Sequence, residues 1–228
     1  MANETSIPDK STKPIRIVLI DDHSIFREGL AELLNREPDM QVCGEAEDRH
    51  QGFDVIKTAH PDLAVVDLML KNSHGIELIK DISASFPEVA VVVLSMHQET
   101  LFAERALRAG ARGYVTKQQA AQQLIGAIRK IMVGEIVASN MVTQVALNQL
   151  SGGQGPANGQ PIGKLSDREL EVLDLLGKGF NNHQIADRMH IDITTIETYR
   201  ARIKTKLDLK DATELLQYAI RWAHRDSV

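Results

Sequence analysis

A single cysteine, Cys43, stands among 228 residues, so no disulfide can close within the chain and no thiolate cage can hold zinc. Eight histidines offer no alternative, because none is paired at HxxxH spacing. The longest apolar runs, such as VAVVVL, stay under ten residues, far short of the ~20 that a membrane helix requires. The N-terminal MANETSIPDK is polar and lacks the apolar centre of a secretory signal. These absences predict a cytoplasmic chain with no membrane partner and no structural metal. What is present, 43% hydrophobic and 25% charged residues, is ordinary globular composition, at a length that suits one large domain or two modest ones.

Charge is unevenly spread. Residues 1–163 carry 15 basic and 20 acidic residues, whereas 164–228 carry 11 of each. Within the neutral part the basic groups concentrate: Arg200, Arg202, Lys204, Lys206 and Lys210 stand against Asp208 alone. A run of this kind is commonly a solvated helix face, and its meaning depends on the element that carries it.

SGGQGPANGQPIG at 151–163 holds five Gly and two Pro, with Ile162 its one larger apolar residue, and reads as a flexible interdomain linker. Residues 1–13 read as a disordered tail. From 14 to 133 the short runs IRIVLI, MQVCGEA, LAVVD, VAVVVLS and GYVT alternate with helical patterns at Ser24 to Asn35, Gln51 to Ala59, Ile76 to Ser85, Thr100 to Ala109 and Ala120 to Met132. Apolar strands without polar alternation are buried on both faces, which requires helices on both sides. Five β-α units therefore predict an α/β doubly wound, five-stranded parallel sheet.

Ligands of such sheets bind beyond the carboxyl ends of the strands. Those ends carry Asp21 and Asp22 after the first run, Asp67 after the third, Ser95 after the fourth and Lys117 after the fifth. Three carboxylates converging at one edge repel one another unless a cation sits among them. Hard oxygen ligands without His or Cys suit magnesium. A divalent ion in an acidic cup, with the Lys117 ammonium and the Ser95 hydroxyl opposite, can hold a phosphoryl group, and a carboxylate can attack it to form an acyl phosphate. Any one of these residues alone is as well explained by a helix cap or a surface charge. Five of them at four strand ends are not.

The constellation resembles the receiver domain of two-component response regulators, with IDDH, VVDLML, VLSMH and GYVTK at the expected places over about 14–133. The resemblance implies a flavodoxin-like fold and a phosphoryl transfer from a sensor histidine kinase to Asp67. It implies that Asp22 binds magnesium directly, that Asp21 does so through water, and that the backbone carbonyl of Met69 joins Asp67 to complete the ligands. Ser95 and Lys117 would hold the phosphoryl oxygens, and Tyr114 matches the aromatic that swings inward when Ser95 moves. Two positions depart from common receivers: Lys71 stands where many carry proline, and Met96 is larger than the residue that usually follows the serine. Met96, with Met69 and His97, either crowds the path of a hydrolytic water or simply packs.

Residues 164–228 read as four short helices. Ser166 with Glu169 forms a capping box before Leu170, Leu173 and Leu176, and Gly177 and Gly179 end that helix; Asn181 with Gln184 repeats the pattern for 182–189. Asp192 is expected to cap a third helix running to about Leu207, and Ala212 to Ala223 form a fourth. The tight second connection suggests a helix-turn-helix. On the third helix Ile196, Tyr199, Ile203 and Leu207 recur at core spacing. Thr194, Thr198, Ala201 and Thr205 lie opposite, small enough to approach base edges of double-stranded DNA, with Thr195, Arg202, Lys204 and Lys206 flanking them where phosphates would lie.

LSDRELEVLDLLGKGFNNHQIADRMHIDITTIETYRARIKTKL is similar to the LuxR-type four-helix DNA-binding domain, and with the receiver the whole chain resembles NarL/FixJ-family response regulators. The resemblance implies base-reading positions at Glu197, Thr198 and Ala201, a connecting helix within 134–150, and dimerisation through the fourth helix. Glu197 stands where many members have lysine; its carboxylate either accepts from cytosine N4–H or pairs with Arg200 or Arg202. Of the two apolar faces on the fourth helix, Leu215, Tyr218 and Trp222 are expected to meet a partner copy, leaving Leu216, Ala219, Ile220 and Ala223 to the core.

The expected function is a phosphorylation-controlled transcription factor, not an enzyme, that forms a homodimer once phosphorylated. An aspartate-nucleophile phosphatase would place a second carboxylate two residues after the nucleophile, where this chain has Met69. A constitutive DNA binder would not need the full phosphorylation set. Because a Gly/Pro-rich tether transmits no torque, control must run through domain contacts that cover the third helix or through a receiver dimer. The neutral DNA-binding part, with little general attraction to phosphates, favours the dimer.

Overall fold

In the computed structural model, which describes residues 13–71, 73–96, 100–138 and 161–223, the apolar runs become strands and the amphipathic segments helices. Residues 1–12 of the expected tail, 139–150 of the expected connecting helix, linker residues 151–160 and His97 lie outside the described residues. In chain order the strands are β1 (Ile15–Ile20), β2 (Met40–Ala46), β3 (Leu63–Asp67), β4 (Met69–Leu70), β5 (Ser73–His74), β6 (Ala90–Ser95) and β7 (Gly113–Thr116). Five of them form one parallel sheet in the order β2-β1-β3-β6-β7. The short β4 and β5 form an antiparallel hairpin just after Asp67, which the sequence reading did not anticipate.

Helices α1 (Ser24–Asn35), α2 (Arg49–Ala59), α3 (Gly75–Ser85), α4 (Thr100–Ala109) and α5 (Ala120–Met132) cover both faces. The pleat sorts the strands between two cores. Ile17, Leu19, Leu63, Val65, Val92 and Leu94 pack with Leu34 of α1 and Leu124 and Ile128 of α5. Their neighbours Val18, Ile20, Ala64, Val66, Val91 and Val93 pack with Ile56 of α2, Ile79 of α3 and Phe102 of α4. Burial on both faces is why these strands read as continuous apolar runs. Strand order reverses at β1, between β2 and β3, and the crevice beyond the β1 and β3 carboxyl ends is where such a sheet can seat a ligand.

The second unit starts earlier than expected. Pro161–Lys164 form one 3-10 turn whose Ile162 is buried, so these residues belong to the helical core and not to a solvated linker. Helices α6 (Asp167–Gly177), α7 (Asn182–Met189), α8 (Ile193–Leu207) and α9 (Ala212–Ala223) follow. Both predicted capping boxes form, Ser166 with Glu169 and Asn181 with Gln184. Asp192 occupies the N-cap of α8, but its side chain makes no capping hydrogen bond.

Helix α9 turns the other way from the sequence expectation. Leu215, Ala219 and Trp222 are buried and Tyr218 is half-buried, whereas Leu216 and Ile220 are each 43% exposed. The cause is a close crossing of α6 and α9. A Cβ on Gly177 would lie 2.3 Å from the carbonyl oxygen of Ala219, so the backbones meet there and the side of α9 that carries Ala219 must face inward. Leu215, four residues before it, and Trp222, three after it, share that side.

Candidate functional site

The strand ends bring the predicted residues together. Lys117 Nζ lies 2.7 Å from Asp67 Oδ2 and 2.7 Å from Asp21 Oδ2, bridging the ends of β3 and β1. The N–H of Lys117 donates to the Ser95 carbonyl at 2.8 Å, which ties β7's exit to β6's. Asp67 Oδ1 accepts from the Met69 N–H at 3.2 Å, and Asp21 Oδ1 accepts from the His23 N–H at 2.9 Å. The Phe26 ring of α1 lies under the Lys117 ammonium, 4.7 Å from ring centre to nitrogen. Gly75 closes the loop beneath Asp67. Its N–H donates to the Leu68 carbonyl at 2.8 Å, and a Cβ there would lie 2.1 Å from the Asp67 carbonyl oxygen.

Burial pushes the Asp67 carboxyl up to about 7, with the Asp21 charge adding to the rise and the Lys117 ammonium opposing it. Burial works to lower the Lys117 ammonium too, but Asp67 and Asp21 outweigh it and hold it above its ordinary value. Asp21 and Asp67 thus share one ammonium, and Asp22 stands beside them. Asp22 Oδ1 is buried and accepts no hydrogen bond among the described residues, and its nearest cationic candidate is His23 Nδ1 at 2.7 Å. Ligand atoms of Asp21, Asp22, His23 and Asp67 all lie within 4.8 Å of one another. An excess of hard oxygen donors with an orphaned oxygen among them fits a divalent cation such as magnesium. His23 was not singled out from the sequence, although it directly follows the Asp pair.

Ser95 is fully buried at the end of β6, and Tyr114 and Met69 are half-buried. Met96 stands at the rim with 56% of its surface exposed, so it does not pack into the core.

On the helical unit, Ile196, Ile203 and Leu207 face inward as expected, and Tyr199 is half-buried. Thr194, Glu197, Thr198, Ala201 and Arg202 are exposed in one outward strip of α8, with Thr195 and Lys204 half-buried beside it. Arg200 donates to the Asn182 side chain of α7. Lys206, expected to meet phosphates, is exposed and places its ammonium 2.6 Å from Oε2 of the buried Glu169.

A receiver-type pocket on a parallel sheet and a helix-turn-helix with an outward small-residue strip define a phosphorylation-controlled DNA-binding protein. Comparison with known families agrees: the response regulator receiver domain matches residues 17–129, and the luxR family of bacterial regulatory proteins matches 163–219. The chain belongs to the two-component response regulators that join a receiver to a LuxR-type DNA-binding domain and control transcription, a family of regulators and not of classical enzymes. It is similar to the oxygen regulatory protein NreC of Staphylococcus haemolyticus, 33% identical over 211 residues, 91% of this chain and 97% of that one. NreC of Staphylococcus aureus (strain bovine RF122 / ET3-1) is 34% identical over 211 residues, with the same shares. Among solved structures, RcsB of Salmonella typhimurium is 26% identical with a TM-score of 0.63, covering 92% of this chain and 98% of that one. RcsB bound to promoter rprA in the presence of phosphomimetic BeF3- is 27% identical with a TM-score of 0.59, covering 91% and 98%.

Proposed function

We propose that Asp67 is the phosphoacceptor, that a sensor histidine kinase is the donor, and that the phosphorylated chain controls transcription in the cytoplasm by binding double-stranded DNA through α8. The observation that carries this reading is the convergence of Asp21, Asp22 and Asp67 at the β1–β3 crevice, with the Lys117 ammonium bridging Asp21 and Asp67. Asp67 attacks the phosphorus of a phosphohistidine; the P–O bond forms as the P–N bond breaks, and the imidazole leaves carrying a proton. Lys117 then pairs with a phosphoryl oxygen in place of the carboxylate, and the Ser95 hydroxyl donates to another, drawing Tyr114 inward. Asp21, Asp22, Asp67 and the Met69 carbonyl would hold magnesium, which when bound supplies positive charge to the phosphoryl oxygens. The chain is thereby the acceptor of a group transfer and has no substrate to turn over.

On DNA, Thr194, Glu197, Thr198 and Ala201 face base edges, while Thr195, Arg202 and Lys204 meet the backbone. The phosphorylated form pairs as a homodimer with Leu216 and Ile220 of α9 at the contact, since these are the apolar side chains that this helix leaves exposed. Incubation with acetyl phosphate and magnesium followed by intact-mass measurement tests the assignment: wild type gains the ~80 Da of one phosphoryl group, and Asp67→Asn gains nothing. A full adduct on Asp67→Asn overturns it.

A further inference from the structure

Three polar contacts between the helical unit and the receiver stand out among the described residues. Arg105 on α4 donates to Asp167 Oδ1 at 2.7 Å and to the Leu165 carbonyl at 2.8 Å. His74 of β5 points Nε2 at Glu171 Oε2, 3.9 Å away, with both side chains buried; its Nδ1 accepts from the Ile76 N–H, so Nε2 is the nitrogen that carries the proton. The third point is in the phosphorylation pocket itself. His190, in the turn between α7 and α8, places Nε2 3.3 Å from Asp22 Oδ2. Its backbone is left-handed, with φ 52°, and this conformation sends the chain round the turn and lets the imidazole reach the receiver. The outward strip of α8 stays exposed throughout, so this docking does not cover the reading helix.

We propose that the helix-turn-helix turn caps the chain's own cation pocket through His190, so that loading the pocket with magnesium and docking the DNA-binding domain exclude each other. The proposal rests on the reading of Asp21, Asp22 and Asp67 as a magnesium site. The exclusion follows from room and from oxygen. Magnesium dehydrates reluctantly and keeps several waters, so it needs space around Asp22 as well as an Asp22 oxygen. The His190 ring lies 3.3 Å from one Asp22 oxygen, so it competes for that oxygen and for the space beside it. The Arg105 and His74 contacts hold the turn in place from elsewhere on the interface, and the Arg105 contact does so without touching a metal ligand. By linkage, the cation must weaken docking by the factor by which docking weakens the cation. The docked form therefore guards the phosphorylation pocket and leaves the DNA-reading surface free.

The test is a MgCl2 titration of the 15N-labelled full-length protein by NMR, in wild type, His190→Gly and Arg105→Ala. Glycine is chosen at 190 because alanine would strain the left-handed backbone and confuse a lost contact with a distorted turn. The amides of 21–23 and 67 report the cation, and those of 165–171 report docking. In wild type both sets shift at the same magnesium concentration. Each variant binds magnesium threefold to tenfold more tightly, as expected when a docked population of about 90% limits access to the pocket, and its 165–171 amides start near their released positions. Equal affinity in all three proteins overturns the proposal. Tighter binding in His190→Gly alone overturns the coupling and leaves a local contact. Weaker binding in His190→Gly makes His190 a ligand and also overturns it. Failure of every form to bind magnesium removes the metal reading beneath it, a result distinct from the other three.

Discussion

Gly75 is the residue on which the geometry of the phosphoacceptor depends most narrowly. Any Cβ there would lie 2.1 Å from the Asp67 carbonyl oxygen and 2.8 Å from the Leu68 Cα, and both are backbone atoms that cannot swing aside. Gly75→Ala must therefore displace the Asp67 peptide, and a misplacement near 1 Å costs on the order of 100-fold in rate. Intact-mass kinetics with acetyl phosphate should show at least a tenfold slower adduct, with the urea midpoint of the helical unit, read by Trp222 emission, unchanged. A wild-type rate would mean that the loop has slack. The Asp pair, Asp67, Ser95 and Lys117 were all legible in the sequence because each ends an apolar run. His190 was not, since its importance comes from a contact with Asp22 across 168 positions of chain, and no local pattern encodes that.

At the scale of elements, α6 binds its neighbours through buried carboxylates that a sequence pattern reads as surface. Burial works to raise the Glu169 carboxyl, but Lys206 and the Ser166 N–H outweigh it and hold it below its ordinary value. A folded value below the unfolded one adds stability that is present at neutral pH and is lost as pH falls through the folded value. Lys206→Met should lower the stability of the helical unit by about 1–3 kcal/mol at pH 7 and flatten its acid limb. Urea unfolding followed by Trp222, which lies in this unit, measures both; a parallel acid limb would assign the stabilisation elsewhere.

The face of α9 makes a second case. Leu215 with Trp222 and Leu216 with Ile220 are equally apolar in sequence, and only the crossing at Gly177 and Ala219 decides which pair is inside. Leu215→Ala should accordingly destabilise the unit by about 2–5 kcal/mol. Leu216→Glu should leave it folded and cost the phosphorylated protein at least tenfold in operator affinity, read by gel shift at fixed salt. Unimpaired operator binding by Leu216→Glu would remove α9 from the dimer contact. The five sheet strands, the helices and the two capping boxes were legible because they are local, whereas the choice between two apolar faces belongs to packing.

For the whole molecule, the exposed strip on α8 separates two tasks that autoinhibition by a covered helix would merge. Thr194, Glu197, Thr198 and Ala201 are accessible while the domains are docked, so if they read bases as proposed, the resting protein presents that surface before any signal. Locating an operator, by sliding and hopping along phosphates, then requires no signal. On the proposed dimer reading, the signal instead sets how long a molecule stays once it arrives, because a second copy adds a second half-site and slows escape. Single-molecule tracking on operator DNA should give similar arrival rates for unphosphorylated and phosphorylated protein, with dwell times longer by tenfold or more after phosphorylation. Arrival rates that rise while dwell times stay constant would show the opposite division. With arrival independent of signal, the delay between stimulus and promoter occupancy is set by the kinase and not by the search.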